Sequence, residues 1–218
     1  MSHIYELSEL RKKLMVDRCF DWQLTASPDE LHLLDKVYSF SDLFNDMIFA
    51  KGSSTYDFVK CQVKDTDSDE NAWIDDDSLL LPEEIEYLNY GSFTYHVKDL
   101  GKANGQFSGE DFSISISPNS IDDDSVILHE LIHLHEFVID LLPTFFHDAI
   151  LFCLYKDLSK KICDLDDRIE AHGHILNSSA IAAIGGEHDI LFLLKSFDLD
   201  LRKGYKLGTV FGYGLTEE

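Results

Sequence analysis

Basic residues are scarce in this chain. Its 218 residues hold 18 Lys+Arg against 41 Asp+Glu, a formal charge of −23. Binding to nucleic acid runs on clustered cations that release phosphate counterions, so a nucleic-acid partner is not expected. An anionic membrane surface is disfavoured for the same reason. The densest basic cluster is Arg11-Lys12-Lys13, with Lys160-Lys161 and Arg202-Lys203 as pairs elsewhere. Long apolar runs are also missing. The longest, Ala149 to Tyr155, falls well short of the ~18 residues a membrane span needs, so no membrane span is expected. The opening MSHIYELSELRKKL has no apolar h-region, so no secretory signal is expected. Cysteine is sparse: Cys19, Cys61, Cys153 and Cys163 form no C-x-x-C pair. That spacing excludes a zinc ribbon and leads us to expect reduced, mostly buried thiols in a cytoplasmic protein.

Apolar residues are plentiful, at 44%, enough for the core of about one domain. The first third reads as helical, beginning with Glu6 to Cys19, where Leu7, Leu10, Leu14 and Val16 stand at roughly helical spacing. Ser27-Pro28-Asp29-Glu30 combines an N-cap serine, a proline at the first helical position and a glutamate three residues after the cap, so a helix is predicted to about Tyr38. Ser41-Asp42 opens another, to about Gly52. Residues 64–77 carry seven acids and one lysine and predict an exposed acidic loop. Asp65, Asp67, Asp69, Asn71 and Asp76 in it resemble calcium-loop spacing, but Glu70 stands where such loops need glycine. Pro82 opens a short predicted helix to Gly91.

Strand signals follow. Ser92 to Val97 is rich in β-formers, residues 101–109 read as a turn region, and Phe112 to Ser117 alternates strictly between apolar and serine. That period of two predicts an edge strand with one buried face. Four helices are predicted beyond it, over about 123–141, 143–162, 165–180 and 187–199. The chain thus divides into a helical N-terminal region over 1–90 and a mixed region over 91–218.

Within VILHELIHLH stands His129-Glu130-Leu131-Ile132-His133, an H-E-x-x-H pattern. Residues i and i+4 of a helix share a face, so both imidazoles can reach one tetrahedral zinc. Glu130, beside the first histidine, can accept the proton of a water activated there. The flanking Val126, Ile127, Leu128, Leu131, Ile132 and Leu134 make the helix a buried one, and a buried helix carries ionisable groups only where they have a use. A third ligand is needed. His147, opening the next helix, is the leading choice and Glu170 the other. His135 lies about 160° round the helix from His133 and is expected to be structural. Tyr90, Tyr95 and His96 are distant options for stabilising an oxyanion.

The run LGKANGQFSGEDFSISISPNSIDDDSVILHELIHLHEFV, residues 100–138, resembles the core of the SprT-like (Spartan-type) zinc metallopeptidases. These have a glycine-containing β-hairpin, an edge strand, an H-E-x-x-H helix and a third histidine opening a later helix. The resemblance covers residues 92–162 and implies an α+β, zincin-like metallopeptidase core. In that core a small antiparallel sheet packs its edge strand on the H-E-x-x-H helix. It implies Zn2+ held by His129, His133 and His147, Glu130 as general base, and a protein or peptide substrate added as a strand along 112–117. A second resemblance, to the ImmA/IrrE-type metallopeptidases, places Glu170 in the ligand set. A regulatory zinc-binding module acting through a protein partner, and a metal-dependent hydrolysis of something other than a peptide, stay open.

Overall fold

The computed structural model describes residues 12–14, 16–44, 90–140, 144–176 and 188–212. The acidic loop 64–77 with its calcium-like spacing, the helix from Pro82, Cys61, the helix segments 6–11, 45–52 and 177–180, and the tail beyond 212 lie outside the described residues.

Residues 12–14 are helical, but the helix expected over Glu6 to Cys19 does not continue: residues 16 and 17 are non-helical, and Asp17 caps a new helix, α1 (Arg18–Gln23), by accepting from the Phe20 amide. Then come α2 (Pro28–Ser39) and the short α3 (Ser41–Phe44). The predicted capping box of α2 is present. The Glu30 amide donates to Ser27 Oγ at 3.3 Å, and the Ser27 amide donates to Glu30 Oε2 at 2.8 Å. Two orphan donors of the helix start are thereby satisfied. Strands β1 (Thr94–Val97), β2 (Gly105–Ser108) and β3 (Ser113–Ile116) form a sheet of order β1-β3-β2. A 3₁₀ turn at Pro118–Ser120 leads into α4 (Asp124–Ile139), followed by α5 (Thr144–Leu158), α6 (Leu165–Leu176) and α7 (Ile190–Lys203). Among the described residues no helix is long and apolar enough to cross a membrane.

Two strand predictions need correction. The sheet is mixed, not antiparallel: β1 pairs with β3 in parallel, while β2 pairs with β3 antiparallel. And β3 is the central strand, with all four residues buried. Alternating Ile114 and Ile116 with Ser113 and Ser115 reads as one wet face, but serine is small enough for the opposite face to be packed as well. The edge beside α4 belongs to β2, which sits inside the stretch read as a turn. Its Gly105-Gln106-Phe107-Ser108 has little β-propensity, and pairing with β3 rather than local preference makes it a strand.

Helix α4 packs on β2 and β3, and α7 packs on α4, α5 and α6. Residues 191–200 of α7 are all buried, which makes it the central helix of the domain. Asp124, in the first turn of α4, meets Lys36 of α2 and Lys203 of α7, each at 3.0 Å. Three helices are thus tied at one point, with a carboxylate where the α4 dipole favours it. Cys19 is buried as expected, but Cys163 is exposed and Cys153 only half-buried.

Candidate metal centre

The H-E-x-x-H residues lie in the middle of α4, capped by Asp123, whose side chain accepts from the Ser125 amide. Ile127, Leu128, Leu131, Ile132 and Leu134 fill the core. The helical turn therefore leaves His129, Glu130 and His133 together on the wall of a cleft of about 510 Å³. The third residue of the group is His188, immediately before the N-cap of α7. Its Nε2 lies 3.1 Å from His129 Nε2 and 3.1 Å from His133 Nε2. These three histidines are the one group among the described residues whose donor atoms could hold a metal ion.

Their chemistry fits a metal. His129 Nδ1–H donates to the Val210 carbonyl at 2.9 Å, which leaves its Nε2 as a bare lone pair. Burial pushes all three imidazoles below their usual range. His133 is lowered to about 3, first by burial and then by His129 and His188, and His188 to about 4 by burial and His129. Protonation is therefore resisted and the neutral, ligating form persists. Ligands bound tetrahedrally at ~2.05 Å stand about 3.3 Å apart, close to the separations found here. His188 Nε2 stands 3.1 Å from both of the other Nε2 atoms, so a cation placed between them would be within ligating reach of all three rings. Phe192, fully buried on α7, lies under the group with ring centroids 4.8, 4.7 and 4.4 Å from His129, His133 and His188. It fixes the rings and keeps water from that side.

His147 is not in the group. Its Nε2 meets Asp189 Oδ2 at 3.2 Å, and its Nδ1 lies 3.6 Å from Asp148. The reason is packing: α5 runs against α7, so its first turn reaches the start of α7 and not the α4 histidines. Asp189 is also the N-cap of α7, accepting from the Phe192 amide at 2.9 Å. His147 thus tethers the segment that carries His188. Glu170 lies exposed on α6, likewise outside the group. His135 is structural as expected: it is buried, meets the Tyr90 hydroxyl at 3.1 Å and stacks on Phe44 at 4.3 Å. Tyr95 is fully buried and donates to the Tyr90 carbonyl at 3.0 Å, and His96 pairs with Glu30 at 3.2 Å. None of Tyr90, Tyr95 and His96 lines the cleft.

Glu130 is nearly buried, and β2 passes directly over it. A Cβ on Gly105 would stand 2.5 Å from Glu130 Oε1 and 2.7 Å from its Cγ, so only glycine allows this approach. Gly105, Gln106 and Phe107 form the wall of the cleft facing the histidines, with Glu136, Phe137 and Asp140 continuing it along α4. Among the described strands β2 has a partner on one side only, so the cleft is bordered by a sheet edge. His188, Gly105 and Phe192 were missed from the sequence. The one available signal was a histidine directly before an aspartate N-cap and an apolar run. No family model, no curated protein and no solved structure matches the chain.

Proposed function

We propose that the protein is a zinc-dependent metallopeptidase of zincin type, using His129, His133 and His188 as ligands and Glu130 as general base. The observation that carries this reading is the convergence of three Nε2 atoms beside a glutamate on the wall of an open cleft. Zinc bound there would supply Lewis-acid chemistry, polarising a carbonyl and acidifying a water. The chain's own residues supply the rest. Glu130, pinned under Gly105, accepts a proton from the attacking water and returns it to the leaving amine. An extended peptide adds to the edge of β2, not to 112–117 as the resemblance implied, because β3 already has a strand on each side. The resemblance to SprT-like peptidases supports the helix and the hairpin. The ligand set departs from it, since the third histidine comes 55 residues after His133. Unpaired cysteines at 19 and 163 support a reducing, cytoplasmic setting.

The test is direct. The purified protein is expected to carry about one zinc, measured by elemental analysis, and to cleave an unfolded protein until a chelator strips the metal. Bound zinc with no cleavage of any unfolded substrate would favour the regulatory module instead.

Gly105→Ala tests the placement of Glu130. The added methyl must push the carboxylate aside, while the histidines keep their positions. Zinc content should be unchanged and turnover reduced, on the order of 10²-fold for a displacement near 1 Å. Wild-type turnover would show that Glu130 needs no such confinement.

A further inference from the structure

We propose that Asp200 is a positioning residue for His129, acting through the loop 204–212; this rests on reading His129 as a metal ligand. Asp200 sits near the end of α7 with no exposed surface. No lysine or arginine among the described residues pairs with it. Its carboxylate instead takes the backbone: Oδ2 accepts from the Gly208 amide at 2.7 Å and Oδ1 from the Val210 amide at 3.0 Å. The loop can fold back this way because Gly204, Gly208 and Gly212 all adopt positive φ, at 69°, 90° and 85°. Val210 then faces two ways. Its N–H is held by Asp200, and its carbonyl accepts from His129 Nδ1 at 2.9 Å.

Burying a carboxylate with two amides but no cation for partners is costly, and an apolar side chain would fill the same space at less expense. What an apolar residue cannot do is hold two amides of one turn in a fixed orientation. That orientation aims the Val210 carbonyl, and the carbonyl selects the His129 tautomer whose Nε2 lone pair faces His133 and His188. Helix α7 follows His188 directly at one end and steers His129 from the other. One helix therefore aligns two of the three ligands that face its Phe192.

The experiment uses Asp200→Asn, which preserves shape but turns an N–H₂ group against one of the two amides. In the metal-free protein, ¹⁵N–¹H spectra of the histidine rings should show His129 as the Nδ1–H tautomer in wild type and as a tautomer mixture with fast-exchanging ring proton in the variant. Zinc affinity, read by competition with a chromophoric chelator, should fall ~10–100-fold. Ser196→Ala, equally buried on α7 but bonded only to the Leu193 carbonyl, controls for general loosening and should change neither readout. An Asp200→Asn protein with the wild-type tautomer and wild-type zinc affinity would overturn the proposal. If the variant does not fold, wild type decides alone: the Gly208 and Val210 amides must exchange slowly, and exchange at open-loop rates would overturn it. Failure of the metal reading looks different, since wild type would then bind no zinc while the tautomer result still stood.

Discussion

His188→Ala is expected to abolish stoichiometric zinc binding, while His147→Ala leaves it nearly intact. Removing one of three imidazoles leaves two ligands on α4, too few for a closed tetrahedral set. The loss should exceed the ~10–100-fold that follows removal of a group merely supporting a ligand. His147 is such a support at one further remove. It holds Asp189, and Asp189 caps α7. Its loss should loosen the segment carrying His188 and weaken zinc by about tenfold or less. The measurement is zinc stoichiometry after dialysis, with competition titration against a chelator. The opposite ordering would place His147 at the metal and overturn the centre described above.

Glu130→Gln should keep zinc and lose hydrolysis. The glutamate is not one of the three converging donors, and glutamine fills the same space under Gly105. What disappears is the ability to take and return a proton, a contribution on the order of 10²–10⁴-fold, or about 2.7–5.4 kcal/mol of barrier. Turnover of an unfolded substrate by zinc-loaded wild type and variant, at matched metal content, is the comparison to make. Equal rates would mean that the proton leaves by another route and that the carboxylate serves only to shape the cleft.

The two experiments probe parts of the centre set by interactions of different range. His129, Glu130 and His133 are legible in the sequence because their geometry is local. A helix repeats every 3.6 residues, so H-E-x-x-H puts two imidazoles on one face whatever surrounds them. The apolar residues interleaved with them fix which face is buried. The capping box at Ser27 and the aspartate before α4 are local too, and both ends fall where the residues place them. The alternation of β3 located a strand, also by a short-range rule.

The chain alone determined helices α2 to α7, two of the three described strands and two of the three clustered histidines, because each depends on neighbours within a turn or two. Only the tertiary structure decided the rest. Whether β3 lies at an edge or in the middle depends on what pairs beside it, and β2 became a strand only by pairing. The third histidine of the group is brought to α4 by the start of α7, 55 residues after His133. Sequence spacing favoured His147, which follows α4 closely, but the packing of α5 along α7 carried that ring to Asp189 instead. Gly105 over Glu130 and Asp200 behind His129 are contacts of the same long-range kind. They are set by how elements pack, which no local period in the sequence encodes.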